Sequence, residues 1–527
     1  MAEAAIAAAP AHAVAPVNAN RWLVAAAVAL GALLEIVDTS IVNVALTEMQ
    51  SSLGATLTQV SWVVSSYAIA NVIILPLTAW LGHRFGKKRY FVFSLIAFTA
   101  ASVLCGVASS LPMLIVARVL QGLGGGGLLA KAQSILFETF PKEEQAMAQG
   151  FFSSIVIAGP TIGPTLGGYI VTNINWRWIF FINVPLGIAA VLMCLAFLPP
   201  DAAGERERGG VDWIAIALLA AGVGSLQTVL EEGHAEEWFD SPFIVAFSAV
   251  AVVSLALFVH RELSSERPIV DLRVLRHRSL WAGSLLSAVI GMGLYGALFA
   301  VPIFAQTILG YTSQQTGMLL LPGALASALS MPLVARLVNR FDPRALLVAG
   351  GLILLVALFQ LHQLTPVTGA GDLFWPLIIR SFGTTLMFLP LSMATLGPLP
   401  KRDIAAATGI YSLTRQLGGS VGVAVLTTVL ADRQAFHRAI LVSHMGASDP
   451  TTVERVAAYT SAFAAKGFDL TDARNKALHV LDGIVNLQAA VMSFNDTFWV
   501  TAVLVIATLP LVFLLGKGRG GPVSAGH

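Results

Sequence analysis

The sequence predicts an all-α polytopic membrane protein, two six-helix repeats with two further helices inserted between them, and three observations carry that prediction. Of 527 residues, 56% are hydrophobic and only 11% are charged, whereas soluble domains are about 25% charged. Apolar stretches of about 20 residues, each long enough to cross a bilayer, recur fourteen times along the chain. With the N-terminus inside, the loops and tails predicted to be cytoplasmic hold 20 Lys and Arg, while the short outside loops hold one, Arg177. That asymmetry sets the orientation, with both termini cytoplasmic.

The first six spans fall near 22–46, 60–82, 90–108, 111–135, 149–172 and 178–198. A charged break, DAAGERERGG, precedes two spans at 211–230 and 242–260, and a charged connector leads into the rest. Six more follow near 280–309, 315–335, 345–362, 373–395, 405–430 and 497–516. The expected domains are a disordered cytoplasmic tail (1–20), an N-terminal bundle (21–200), the two extra helices with their connector (201–279), a C-terminal bundle (280–516) and a cytoplasmic tail (517–527). The C-terminal bundle includes an outside segment, 431–496, whose apolar residues at 481, 484, 485 and 491 keep a helical period and predict a helical hairpin above the membrane.

An internal repeat appears when PLTAWLGHRFGKK (76–88) is set over PLVARLVNRFDPR (332–344), an offset of 256 residues. GFFSSIVIAGPTIG from 150 aligns with GIYSLTRQLGGSVG from 409 at Gly150/Gly409, Ser153/Ser412, Gly159/Gly418 and Gly163/Gly422. Parallel repeats of this kind place a substrate site at their interface near the bilayer midplane.

Charges inside the spans are the functional candidates. Glu35 and Asp38 share one face of the first helix. Each costs roughly 2.5–3.5 kcal/mol near the bilayer centre, against about 0.3–0.6 returned by each Leu, Ile or Val. The twelve Leu, Ile and Val from 23 to 46 therefore only about balance the pair, so that face must meet a polar interior or a basic partner. A proton or cation site and a polar glue between helices both satisfy that requirement. Arg118, with Gln121 one turn on, is the obvious partner. Lys131 and Glu138 lie towards the end of the same helix, where snorkelling to the headgroups is expected. The second half adds Arg380 and Arg415 and no acid within its spans, while Tyr295, Phe299, Phe304, Met387, Phe388 and Tyr411 are candidates for an adaptable apolar pocket. Cys105 and Cys194 lie in apolar runs and imply neither disulfide nor metal. No phosphate-binding GxxxxGK[ST] loop is present, and no clustered His and acids suggest a membrane enzyme, a catalytic residue or a cofactor. Nothing points to nucleic acid.

Four motifs resemble the major facilitator superfamily, and with the fourteen-span layout they are similar to its drug:proton antiporters of the EmrB/QacA type. VDTSIVNVAL (37–46) resembles L-D-x-T-I-V-N-V-A-L-P, matching at Asp38 and Asn43 and departing at Val37, Ser40 and Thr47. AWLGHRFGKK (79–88) resembles G-x-x-x-D-R-x-G-R-K: Arg84, Gly86, Lys87 and Lys88 fit, while Ala79 and His83 replace its Gly and its Asp. ARVLQGLGGGG from 117 resembles the motif with a buried Arg. AGPTIGPTLGG (158–168), with Gly159, Pro160, Gly163, Pro164, Gly167 and Gly168, resembles the antiporter motif. Glycines at i, i+4 and i+8 also make a flat packing stripe, one that should tolerate only Ala at Gly163, and each Pro loosens the helix. The resemblance implies a major facilitator fold in a bacterial inner membrane, efflux of hydrophobic or cationic drugs driven by proton influx through Asp38, Glu35 and Arg118, and Asn43 and Gln121 near the substrate. It also implies a periplasmic adaptor leading to an outer-membrane channel. A transporter of one specific metabolite or siderophore is the alternative within the same superfamily.

Overall fold

The computed structural model describes residues 21–201, 210–446 and 449–516; the expected tails and most of the break after 201 lie outside them. No strand occurs among the described residues. The N-terminal half comprises α1 (Arg21–Leu53), α2 (Thr58–Phe85), α3 (Lys87–Gly106), α4 (Leu111–Thr139), α5 (Lys142–Asn173) and α6 (Trp178–Phe197). The inserted pair is α7 (Trp213–Glu232) and α8 (Pro242–Ser264). The C-terminal half comprises α9 (Arg278–Thr307), α10 (Ser313–Val338), α11 (Pro343–Leu361), α12 (Ala370–Leu396), α13 (Lys401–Ser443), α14 (Pro450–Ala464) and α15 (Leu470–Leu511). Among the described residues, 13 helices are long and apolar enough to cross a membrane, and the 30-residue α9 stands where the sequence places a further span.

The repeat is visible in how the helices start and pack. Thr56 and Gln59 form a reciprocal capping box at the start of α2, with bonds of 3.3 and 3.0 Å. Thr312 and Gln315, again 256 residues on, form the same box at α10, with bonds of 3.2 and 2.8 Å. Each box satisfies backbone N–H groups that a first helical turn leaves unpaired. Pairings recur as well: α1 packs on α5 as α9 does on α13, α2 on α4 as α10 does on α12, and α3 on α6 as α11 does on α15. The halves meet where α5 lies along α10 and where α2 and α4 lie against α13. Across the second seam, α7 packs on both α2 and α13, and α8 covers α7 from outside.

One face of the bundle gathers the basic loops. There Arg21 pairs with Glu144 at 3.7 Å, His277 meets Asp403 at 3.0 Å, and Arg278 donates to the Leu514 carbonyl at 2.9 Å. We call this the basic face, and its opposite the far face.

The segment 431–496 is continuous with the spans on either side of it. No Gly or Pro falls between Gly422 and Gly446, so nothing stops α13, and it runs unbroken for 43 residues. At 1.5 Å per residue that is about 65 Å, roughly twice a hydrocarbon core. α15 projects alongside it, bound by His437 to Asp496 at 2.8 Å and by Arg438 to Asp482 at 2.8 Å, and α14 packs on α15.

Candidate functional site: a buried carboxylate cluster

α1 brings Asp38 and Glu35 into the centre of the N-terminal bundle, each to a different partner set. Asp38 is fully buried and accepts three hydrogen bonds, from Arg118 Nη1 at 2.6 Å, Asn183 Nδ2 at 2.8 Å and Gln121 Nε2 at 3.0 Å. Arg118, equally buried, also donates to the Val63 carbonyl at 2.9 Å and to Gln121 Oε1 at 2.8 Å, and lies 4.2 Å from the centre of the Tyr67 ring. Four helices, α1, α2, α4 and α6, thus converge on one ion pair. A buried pair is tolerated only when its remaining donors and acceptors are met. Asn183 Nδ2 also donates to Ser102 Oγ at 3.1 Å, and one atom is left over: Asn183 Oδ1 is buried with no partner.

Glu35 serves a helix end. The glycine run in α4 breaks the helix at Gly127, whose φ of +72° is left-handed, and the chain restarts at Leu128. A restart frees backbone N–H groups inside the bundle. Glu35 accepts from one of them, Leu129 N, at 2.7 Å, and from Asn71 Nδ2 at 2.6 Å. Lys131, two residues on, does not snorkel. It is buried, donates to Ser94 Oγ at 2.7 Å and sits 3.9 Å from the centre of the Tyr90 ring, because the restart turns this part of α4 into the bundle.

The glycine stripe of α5 lies directly behind Asp38. A Cβ at Gly159, Gly163 or Gly167 would fall against Ile36, Ser40 or Ile41 of α1, and one at Gly168 against Gln314 of α10. In the other half, Gly418 and Gly422 of α13 face Ala288 and Met292 of α9 in the same way. That register makes Ser287 the counterpart of Glu35 and Ile290 the counterpart of Asp38, so the two seams share a shape while only one carries acids.

A family model described as Major Facilitator Superfamily matches residues 28–423. The chain belongs to the Major Facilitator Superfamily. Similar proteins include the multidrug export protein EmrB of Escherichia coli (strain K12), 35% identical over 500 residues that cover 94% of this chain and 96% of that one. The fatty acid resistance protein FarB of Neisseria gonorrhoeae is 32% identical over 500 residues, covering 93% and 96%. Among solved structures, the proton:xylose symporter XylE bound to 6-bromo-6-deoxy-D-glucose superposes with a TM-score of 0.61 over 95% of this chain and 97% of that one, at 12% identity. At that identity the likeness shows the fold. The chain is therefore a membrane transporter of the superfamily.

The superfamily's basic loop is completed by a residue that spacing in α2 could not reveal. Asp201, after α6, accepts from Lys88 N at 2.8 Å and Arg89 N at 3.3 Å. Gly86, at φ +95°, leaves room for it, since a Cβ there would strike the Asp201 carboxylate. In the second half Asp342 accepts from Arg344 N at 2.9 Å, and Arg344 lies 256 residues beyond Lys88. The same backbone donor is capped twice, once by a carboxylate borrowed from elsewhere. Lys87 pairs with Glu138 at 2.6 Å, Lys88 Nζ caps the Leu195 and Leu198 carbonyls at 2.8 and 2.7 Å, Arg84 stacks over Trp80, and His83 is half-buried beside Lys87 and Tyr90.

The pocket candidates separate. Arg415 is buried 5.0 Å from the Phe388 ring centre and 5.3 Å from that of Tyr411, with Nη1 unpartnered. Met387 and Arg380 are buried on α12. Phe304 packs edge-on against Phe494 of α15 at 5.4 Å, inside the α9/α15 core. Asn43 is exposed and donates weakly to the Thr39 carbonyl at 3.4 Å. The side chains of Tyr295 and Phe299 lie outside the described residues. Pattern reasoning missed Asn71, Ser102 and Asn183. Each is a polar residue within an apolar span, which is the signal that could have found them.

Proposed function

We propose that the protein exports hydrophobic and cationic drugs across a bacterial inner membrane, exchanging them for protons by alternating access. The observation that carries this reading is the Asp38–Arg118 pair. It is a carboxylate at membrane depth whose three bonds all come from donors, with an idle acceptor, Asn183 Oδ1, beside it. Ionised, Asp38 uses those donors. Protonated, it needs an acceptor for its own O–H, and an amide flip of Asn183 supplies one. The two charge states therefore favour different arrangements of α1, α4 and α6, and the glycine seam lets α1 slide on α5 between them. A cationic drug in the translocation path favours the ionised carboxylate through its field, so drug and proton exclude one another. The identity to EmrB supports the drug class.

The reading includes fourteen crossings with both termini cytoplasmic, two six-helix bundles moving about α7 and α8, and an adaptor seated on the projection of α13–α15. That projection exposes Phe436, Phe468 and Leu470. The test is proton release from purified protein on adding candidate drugs, with Asp38→Asn alongside. Release from wild type that Asp38→Asn abolishes supports the reading, and equal release from both overturns it.

A second reading is favoured by Arg415, whose buried unpartnered Nη1 beside two aromatic rings suits an amphipathic anion. Displacement of a bound fluorescent fatty acid that Arg415→Gln abolishes would favour it over the cationic class.

A further inference from the structure

We propose that the far end of α7 forms with α13 a second ligand site, a vestibule for an organic cation with an apolar body, held by Glu231. The inference goes beyond the coupling role of Asp38 and does not depend on it.

A cavity of about 380 Å³ opens between the two helices, lined by Leu230, Glu231 and His234 on one side and by Gln416, Ser420 and Val423 on the other. Small-molecule sites occupy roughly 300–1,000 Å³ and combine apolar walls with a few placed polar groups. The Glu231 carboxylate is fixed by Gln227 Nε2 at 2.7 Å, which also reaches Ser420 Oγ at 2.8 Å. Gln227 is fully buried and its Oε1 has no partner. Among the described residues, no Lys, Arg or His forms an ion pair with Glu231. A carboxylate half-buried beside Leu230, Ala235, Val423 and Ala424 without a counter-charge is costly, and a ligand cation removes that cost. A metal is a poor fit, since no three metal-ligating side chains converge among the described residues and the volume suits an organic body.

The walls are held in place on both sides. Glu232 accepts from Ser65 Oγ of α2 at 2.6 Å, and Trp238 Nε1 donates to Thr428 Oγ1 of α13 at 3.1 Å. The turn between them puts Glu237 and Trp238 at φ +58° and +54°, and Gly233 abuts the Trp238 ring so closely that a Cβ would not fit. Left-handed backbone at such residues persists only where its surroundings hold it. α7 thereby bridges the N-terminal and C-terminal halves at the far face, and the cavity lies under that bridge. Residues 231–240 contain five carboxylates and no Lys or Arg, so the mouth draws cations. The facing side chains of α13 are uncharged, and His234 is the titratable neighbour within the cavity.

The test uses a thiol placed in the lining. Both native cysteines are buried, so Thr427→Cys supplies the reactive thiol, with Val423→Cys as a replacement if that variant does not fold. The rate of maleimide labelling is measured with and without tetraphenylphosphonium, and with tetraphenylborate, an anion of the same shape. Saturable protection by the cation and none by the anion is expected. Adding Glu231→Gln should raise the half-protecting concentration about tenfold or more, the loss of a charge-assisted contact. Adding Asp38→Asn should leave it unchanged, which separates this site from the coupling cluster. Equal protection by both ions, or protection indifferent to Glu231→Gln, overturns the proposal, as does protection that Asp38→Asn alone abolishes.

Discussion

Asp38→Asn removes a charge while nearly preserving shape, so its cost lies in the hydrogen bonds and the counter-charge around it. The carboxylate offers acceptors to Arg118, Gln121 and Asn183; the amide has one oxygen. With that oxygen towards Arg118, the new NH₂ faces two amide donors, of which Asn183 can turn its idle Oδ1 inward. Gln121 cannot, because its Oε1 is committed to Arg118 at 2.8 Å. Turning Asn183 also withdraws its Nδ2 from Ser102 Oγ, so the best arrangement loses two bonds and the whole counter-charge. Removing one partner of a buried pair costs about 3–5 kcal/mol. Arg118 keeps the Val63 carbonyl and the Tyr67 ring, and a desolvated cation–π contact of up to about 2 kcal/mol holds the expected loss to the lower end of that range. Removing the orphaned charge as well, Asp38→Asn with Arg118→Met, should recover most of that loss, because an uncompensated buried charge is its main source. The assays are unfolding of purified protein in mixed micelles, followed by circular dichroism, and drug uptake into inverted vesicles under an imposed proton gradient. Asp38→Asn should lose stability and uphill transport together, while the double variant regains stability and stays inactive. Vesicles of Asp38→Asn that accumulate drug against its gradient as wild type does would place the coupling site elsewhere. A variant as stable as wild type would show that the pair is not held as described.

Gly163 should refuse even Ala: a Cβ there meets the Ser40 hydroxyl and stands 2.9 Å from Ile41 N, an overpacking of about 1–3 kcal/mol that a thermal melt resolves, and Gly163→Leu should insert but not transport. Removing 436–493 joins α13 to α15 where they already lie side by side. Drug binding by the purified truncated pump should persist while resistance in a double-membraned host is lost, and co-purification of an adaptor with the truncated protein would contradict the docking role. Asp449 caps α14 through Thr451 and Thr452, and those bonds lower its pKa to about 2 from an ordinary 3.8. A carboxyl lowered on folding stabilises above its unfolded value and loses that contribution as pH falls through the folded one. Hydrogen-exchange protection at 452–454 should therefore hold down to about pH 4 and fall towards pH 2, and Asp449→Ala should weaken it throughout the higher range.

Much of this arrangement was legible because membranes leave few solutions. Apolar length, charge asymmetry and the 256-residue offset each constrain the chain independently, and the Asp38–Arg118 pair follows from the cost of either charge alone. What was not legible depended on contacts between distant segments. Asp201 reads as one more charge in a charged break, and only the fold shows it capping α3 where the second half uses Asp342. Lys131 reads as a snorkelling cation because periodicity treats α4 as one rod, whereas the left-handed Gly127 turns its second part inward. The length of α13 escapes hydropathy for a different reason: hydropathy ends a span where polarity begins, but a helix ends only where Gly, Pro or a cap stops it, and none occurs near 431.

The two glycine seams bear on how such a machine divides its labour. Gly159 and Gly163 of α5 against α1, and Gly418 and Gly422 of α13 against α9, give both halves the same capacity for close sliding contact. The chemistry beside the seams differs: Glu35 and Asp38 in one half, Ser287 and Ile290 in the other. On the proposed coupling, a proton arriving at Asp38 changes the balance of forces among α1, α4 and α6, while beside its glycine seam α9 has no titratable counterpart to Glu35 and Asp38. In the exchange proposed above, the N-terminal half would convert charge into movement, and the C-terminal half, with Arg415, Phe388 and Tyr411 clustered on α12 and α13, would be the part tuned to a substrate without disturbing the coupling. On that division, substitutions at Phe388 and Tyr411 should change which compounds are carried at constant proton stoichiometry, and substitutions at Asn183 and Gln121 should change the stoichiometry or its pH dependence for every compound alike. Measuring both quantities for two chemically unrelated substrates decides between this division and a single shared site, in which every such substitution would move the two together.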